Sequence, residues 1–508
     1  MFIFIMLALS KVLGQVRDSV MLSVLGTNSV SDAYACASGI PLNFFDMILG
    51  SAISAAFIPV YNKFAQKEGK ERANAFSSRF LNVIALATTV LSIVGVIAAS
   101  LIINTFYNLE QQVLAIQLLQ IMFPVIIFVG LSFTLVGVLQ SEGQYNIPAI
   151  MSIVSNAVCI IYLLTMHTQF GVHGLAWAML IGWTLQFVMM IYPSKRVGFR
   201  YKLSYGLRDE GLKDVVKLAL PVLFATWVQP ANVLINSMVA TNIGTDGSIA
   251  ALNSANRLYI TIAGLLAISL TNYIFPKLSQ MFVEEDEENW QKTVMMGLKV
   301  VLLLMPPIAM VFLINSEQII RVVYGYGAFD NDSVALTAPL LFYYAIGMLG
   351  FSLQEIVNKA FYSRYNTKAP TIIALCTIGL NLGLSLGLSH FMGVPGVALS
   401  ASLSASVFAI ISVIVMMKKT NMQGAKDLLI YIGKIVVMFA VSCGVTLLVK
   451  TAAQGYFGAE GLMQNLLVTA LCAGAGFVVF FGLALVFKID QMQLVLNMIT
   501  SKLKRKGA

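Results

Sequence analysis

Gly171-Val172-His173-Gly174-Leu175-Ala176 returns at a fixed offset as Gly393-Val394-Pro395-Gly396-Val397-Ala398, and this pair of stretches decides how the chain is built. Working outward, Gln144-Tyr145-Asn146-Ile147-Pro148-Ala149-Ile150 matches Asn366-Thr367-Lys368-Ala369-Pro370-Thr371-Ile372 at the same offset, each at the head of an apolar run. Phe57-Ile58-Pro59-Val60-Tyr61 resembles Ile274-Phe275-Pro276-Lys277-Leu278 at a similar offset, each at the end of one. A single match is within the reach of chance, because Pro and Gly gather near helix ends. Three in register point to a duplicated unit, and repeats of six spans keep one orientation, related by a pseudo-twofold axis along the membrane normal.

The bulk composition fixes the solvent. Of 508 residues, 58% are hydrophobic and 11% charged, with mean hydropathy +0.84, whereas soluble domains carry about 25% charged residues. Apolar runs of about 20 residues recur from end to end, each long enough to cross a hydrocarbon core of about 30 Å as a helix. The alternation of a transmembrane barrel, in segments of about 10 residues, is absent. The chain is therefore expected to be all-α, a polytopic membrane protein of about 14 transmembrane helices. Two six-helix lobes are expected at 1–194 and 214–420, with a linker at 195–213 and two extra helices with a basic tail at 421–508.

A net charge of +9 raises the question of nucleic acid. The positions of Lys and Arg answer it, because they occupy alternate loops. Lys63, Lys67, Lys70, Arg72 and Arg79 follow the second span, Lys195 to Lys213 follow the sixth, Lys418, Lys419 and Lys426 follow the twelfth, and Lys502 to Lys506 close the chain, while the loops around Gly26 to Ser31, Asn108 to Gln112, Thr168 to His173 and Thr241 to Ser248 carry neither residue. They read as topology determinants touching anionic lipid, with both termini cytoplasmic and an even number of spans. The N-terminal run contains Lys11 and Arg17 and lacks a small-residue cleavage site, so it reads as a retained helix and not a signal peptide. The five Cys lie in apolar runs without C-x-x-C spacing and read as small packing residues.

Charges inside spans are few: Lys11, Arg17 and Asp18 in the first, Asp46 in the second, Arg257 in the eighth, and Glu355 with Lys359 in the tenth. Each costs roughly 2.5 to 3.5 kcal/mol on insertion scales, so such residues usually face a protein interior or a watery cavity. Lys11 and Arg17 lie about 120° apart on an ideal helix, and Gly14 between them offers a bend that turns both inward. With Arg257 from the other half they would bind an anion of more than one charge, for which the planar guanidinium is suited. The blander alternative pairs Arg17 with a carboxylate such as Asp46 and lets Lys11 snorkel. Asp18, adjacent to Arg17 and pointing away from it, is expected to orient a different cation. Asp32 follows the Gly26-Thr27-Asn28-Ser29 turn and reads as the N-cap of the second span. Glu355 and Lys359 share a helix face and are expected to pair. Together Asp18, Asp32, Asp46, Glu355 and Lys359 are supporting cavity charges.

No nucleophile-base-acid arrangement, phosphate-cradling Gly loop or metal-ligand spacing is present in the sequence, and the reading is that the chain is not an enzyme. A membrane glycosyltransferase would need a long outer loop with carboxylates, and an ion-coupled drug exporter an acidic cavity. Neither fits the cationic spans.

Leu13-Gly14-Gln15-Val16-Arg17-Asp18, Ser31-Asp32-Ala33-Tyr34, Ile40-Pro41 and Ala56-Phe57-Ile58-Pro59-Val60-Tyr61, in this order, resemble the N-terminal signature of the MurJ/MviN lipid II flippases of the multidrug/oligosaccharidyl-lipid/polysaccharide exporter superfamily. Ala255-Asn256-Arg257-Leu258 and Ala360-Phe361-Tyr362-Ser363-Arg364 through Pro370 extend the likeness over essentially the whole chain. The resemblance implies a bacterial inner-membrane flippase that moves undecaprenyl-diphosphate-linked peptidoglycan precursor to the outer leaflet by alternating access. It implies diphosphate-binding cations at Lys11, Arg17 and Arg257, an acidic residue at Asp32, and a lipid-tail groove formed by the helices beyond the twelfth. The alternative within the superfamily is another polyprenyl-diphosphate glycan, such as a capsule unit. The chain departs from the family where its usual second-span Arg falls on Phe45, and where its proposed sodium site has only neutral candidates, Asn236, Thr377 and Asn381. No cofactor is expected, and coupling to Na+ or to the membrane potential is left open. The expected partners are the lipid-linked substrate and membrane lipids, with no nucleic acid and the chain acting as a monomer.

Overall fold

A backbone surrounded by lipid must satisfy its own hydrogen bonds, and every regular element among the described residues is an α-helix. The computed structural model describes residues 2–47, 56–203, 209–458 and 461–492. Several expected spans are single helices: α1 (Phe2–Leu25), α4 (Lys70–Phe106), α7 (Asn146–Thr165), α8 (His167–Arg196), α11 (Ser248–Val283) and α12 (Glu287–Ile314). So are α16 (Lys368–Met392), α17 (Val394–Lys419), α18 (Ala425–Phe457) and α19 (Leu462–Val486).

Other spans are broken, at residues that break helices. α2 (Ser29–Phe45) and α3 (Ile58–Lys67) flank a π-helical turn at Asp46 and Met47 and residues outside those described. Pro124 separates α5 (Gln112–Met122) from α6 (Val125–Ser141), as expected of a residue without an N–H. α9 (Glu210–Thr226) and α10 (Val228–Thr241) meet at Trp227, three residues before Pro230. α14 (Asn331–Ile346) and α15 (Met348–Ser363) bend by 43° around Gly347. Among the described residues ten helices are long and apolar enough to cross a membrane, and the bent pair makes an eleventh. α1 carries three charges across its middle. The short α13 (Ser316–Tyr324) was not among the expected elements. It is amphipathic, buries Gln318, Ile320 and Tyr324, and packs on α19.

Contacts divide the chain into two units, Met1–Asn253 with Tyr326–Ser333, and Ser254–Gly325 with Val334–Ala508. In the first, α1 packs on α7, α7 on α8, α2 on α5 and α4 on α6. Close approach relies on small residues, as usual between helices in lipid: a side chain at Gly137 would come within 2.6 Å of the Phe57 ring. α9 joins this unit, burying Leu212, Val215 and Ala219 in its core. The segment Tyr326–Ser333 closes against the α1–α2 turn, where Ala328 N donates to Ser23 O at 2.7 Å. Gly26 and Gly327, both at positive φ, have Ala328 O and Ser23 O where a side chain would stand. In the second unit α12 packs on α15 and α18, α15 on α17, and α18 on α19.

The repeat is written in the backbone. Gly171 has φ 55° and ψ −149°, and its counterpart Gly393 has φ 66° and ψ −145°. This region is essentially confined to glycine, so the same rare turn joins α7 to α8 and α16 to α17.

Candidate functional site

The charged stretch of α1 is held by its packing on α7. Ser10, Asp18, Leu22 and Leu25 are the buried positions, and Ser10 Oγ donates to Ala149 O at 2.8 Å. α1 is one continuous helix across Gly14. Lys11 is exposed while Arg17 is partly buried, its side chain 25% accessible.

Arg17 Nε and Nη2 both donate to Asp18 Oδ1, at 3.1 and 2.7 Å. The expectation that Asp18 would turn away from Arg17 is thereby corrected. Cβ vectors of adjacent helical residues diverge, but the guanidinium stands at the end of a stem long enough to fold back around the helix. Asp46 is not the partner of Arg17: it is the exposed C-cap of α2. The pair with Asp18 uses one edge of the guanidinium and leaves its other N–H groups for an oxyanion.

Asp32 is buried in the first turn of α2, and the N-cap it was expected to be is Asn28. Asn28 Oδ1 accepts from Val30 N and Ser31 N, with Ser31 completing a capping box. Asp32 instead caps a different helix, its Oδ1 accepting from Ala250 N at 2.8 Å, with the N–H groups of Ile249 and Gly247 also directed at it. A carboxylate at the positive end of α11 is favourable on dipole grounds. The turn before α11 closes on the α1–α2 turn, since a side chain at Gly247 would meet Thr27.

Arg257 lies on the exposed face of α11, in the second unit, with Leu258 and Tyr259 on the buried face and Tyr259 stacked on Tyr344 at 5.5 Å. Glu355 and Lys359 are half-buried, but the expected ion pair is not formed among the described residues. The Lys359 ammonium lies over the rings of Phe275 and Tyr362, at 5.5 and 6.0 Å. Asn236 is buried on α10, in the first unit. Thr377 and Asn381 are buried on α16, in the second: Thr377 Oγ1 donates to Ile373 O, and Asn381 Oδ1 accepts from Ser400 Oγ of α17 at 3.4 Å. Among the described residues no group of three or more His, Cys, Asp or Glu lies together as a metal site would require.

Phe45, where the resembled family has Arg, is 1% exposed and packs on Phe133, with ring centroids 6.0 Å apart. The position is filled by core, so a cation is not merely missing there but replaced by an apolar contact.

The sequence reading missed a second cluster. Asp209, whose side chain is 1% exposed, accepts from Arg72 Nη1 at 3.0 Å and Nη2 at 3.3 Å, from Arg79 Nη1, and from Gly211 N at 2.8 Å as the N-cap of α9. Lys63 pairs with Asp214, and Glu142 takes Lys70 on one oxygen and the Tyr61 hydroxyl on the other. The basic loop read as a lipid contact is therefore neutralised in large part by the protein's own carboxylates. Burial alone would raise the Asp209 carboxyl, but the hydrogen bonds from Arg72, Arg79 and Gly211 outweigh it and hold it below its ordinary value. Stability from this depressed group is present above the ordinary carboxylate range and is lost as pH falls through its folded-state value. The acidic run Asp209-Glu210, opposite so basic a loop, was the available signal.

A bundle of this kind, with charges confined to a few spans, is a fold shared with membrane transporters of known structure. The chain superposes on a MATE-family multidrug resistance transporter of the MOP superfamily in an inward-facing conformation, with a TM-score of 0.71 at 15% identity, covering 81% of this chain and 94% of that one. It superposes on a lipid II flippase MurJ in an inward closed conformation with a TM-score of 0.80 at 24% identity, covering 96% and 99%. Residues 21–468 match the profile of the lipid II flippase MurJ family. The lipid II flippase MurJ of Burkholderia cenocepacia is 28% identical over 398 residues, 76% of each chain. The probable lipid II flippase MurJ of Bdellovibrio bacteriovorus is 27% identical over 493 residues, 95% of this chain and 93% of that one. The chain belongs to the lipid II flippase MurJ family, and it is an integral membrane protein of the transporter kind.

Proposed function

We propose that this chain moves lipid II, the undecaprenyl-diphosphate-linked peptidoglycan precursor, from the inner to the outer leaflet of the bacterial cytoplasmic membrane by alternating access, for cell-wall synthesis. Family membership over residues 21–468 supports the reading, and the observation that carries it is Arg17. A guanidinium placed in a membrane helix, held on one edge by Asp18, is a site for a phosphate oxygen on the other. Lys11 and Arg257 supply the further charge that a diphosphate needs, and the prenyl tail stays in lipid. In this reading the chain breaks and forms no covalent bond and so is not an enzyme. It works as a monomer, with both termini cytoplasmic as the alternate basic loops require. The driving force is Na+ or the membrane potential, with Asn236, Thr377 and Asn381 offering neutral oxygens to a cation.

The second reading, a flippase for another polyprenyl-diphosphate glycan, is favoured by one observation: the apolar, buried Phe45 where the family has Arg. Complementation of a strain depleted of its lipid II flippase decides between them. Rescue by the unsubstituted chain, lost in Arg17→Ala with membrane insertion intact, is the expected result. Normal growth with Arg17→Ala would overturn the site, and no rescue by the unsubstituted chain would favour the other glycan.

A further inference from the structure

On either side of residues 204–208, the chain between the two repeats is bound to α4, at two faces of that helix. Asn74, Ser78 and Asn82, four residues apart and so on one face of the helix, bind the segment after α8: Asn74 Nδ2 donates to Gly198 O, Ser78 Oγ accepts from Lys202 N, and Asn82 Oδ1 accepts from the Tyr201 hydroxyl, at 2.9, 3.1 and 2.7 Å. Arg72 and Arg79, seven apart, hold Asp209 at the start of α9. Gly211 sits where any side chain would collide with Phe64 and Phe76, and Arg72 stacks on Phe64 at 4.2 Å. Lys63 then reaches Asp214 one turn further along α9, at 2.7 Å.

From this arrangement we infer that Asp209 is a positioning residue for transport, fastening the start of the second repeat to α3 and α4 of the first. Its carboxylate does two separable things, capping α9 through Gly211 and neutralising two arginines. Transport that rearranges the two repeats must then carry the beginning of α9 with the first unit.

The test uses the full chain with its native cysteines replaced and a thiol pair introduced as Lys63→Cys with Asp214→Cys, joined in membranes by a short bifunctional maleimide. Asp209→Asn removes the charge and keeps the shape, while Asp209→Ser keeps a helix-capping hydroxyl and loses the clamp. Both are expected to lower cross-link yield several-fold and to impair complementation, and Asp209→Glu to restore part of each. Asp209→Asn combined with Arg79→Gln is expected to be no worse than Asp209→Asn alone, since the Arg79 pair is already lost there. If a variant at Asp209 fails to reach the membrane, Arg79→Gln alone decides, by the same readouts. Unchanged cross-linking in the Asp209 variants, reduced cross-linking with full complementation, or additive losses in the double variant would each overturn the inference. The complementation arm rests on the flippase reading and the cross-linking arm does not: should the unsubstituted chain fail to complement, that reading falls while the cross-link still decides whether α9 is fastened.

Discussion

The hairpin α7–α8 and its counterpart α16–α17 share a turn and little else. Gly171 and Gly393 hold the same dihedral angles, and three residues on, Gly174 and Gly396 stand where a side chain would collide with the preceding helix. The obstacle differs. At Gly396 it is the main chain of Leu388 and Ser389, whereas at Gly174 it is chiefly the hydroxyl of Tyr162, which donates to Gly171 O at 2.7 Å. Beyond the turn, the first hairpin leaves a cavity of about 580 Å3 lined by Tyr162, Phe170, His173 and Trp177. Each hairpin also carries a polar contact between its helices, but at a different depth and of different make-up: Ser155 to Gln186 at 3.1 Å in the first, Ser385 to Ser400 at 2.5 Å with Asn381 behind in the second. Duplication has preserved what only glycine can do and let the space between the helices diverge.

Gly396→Ala should show the largest effect, a loss of about 3 kcal/mol, because the obstructing backbone cannot give way; thermal unfolding in detergent would measure it. Gly171→Ala and Gly393→Ala should each cost about 2 kcal/mol and by similar amounts, since the penalty is conformational and not a matter of neighbours. Clearly unequal shifts in Tm would break the equivalence of the two turns. Gly174→Ala should cost less, about 1 kcal/mol, because Tyr162 can move to another rotamer, and Tyr162→Phe should recover much of it. Smallest are Ser400→Ala in the second hairpin and Ser155→Ala in the first, about 1 kcal/mol or less each, the net value of one hydrogen bond.

Much of this was legible in the sequence, and the reasons are particular. The turns were, because Gly171 and Gly393 are imposed by a backbone conformation that travels with the local residues. The spans were, because about 20 apolar residues have few other uses. Asn28 as the cap of α2 was not, since Asn28 and Asp32 both suit an N-terminus and only the position of residues 247–250 recruits Asp32 elsewhere. The Arg17–Asp18 pair was hidden by reasoning from Cβ directions where the terminal group decides. Arg72 and Arg79 read as lipid contacts because their partner, Asp209, is distant in sequence, and α13 is too short and too amphipathic to register as a span. The contrast between Lys11, exposed, and Arg17, paired, needed the packing of α1 on α7.

The turn between α1 and α2 has a consequence for how the protein is made. Ser23 receives its hydrogen bond from Ala328, a residue that a ribosome working at about 5–20 residues per second delivers roughly 15 to 60 s later. Until then the first two helices wait in the bilayer with the turn between them unsealed. A substitution at Gly327 would therefore be felt by the N-terminal hairpin, and this end of the molecule, though translated first, is completed only after more than half of the chain has been made.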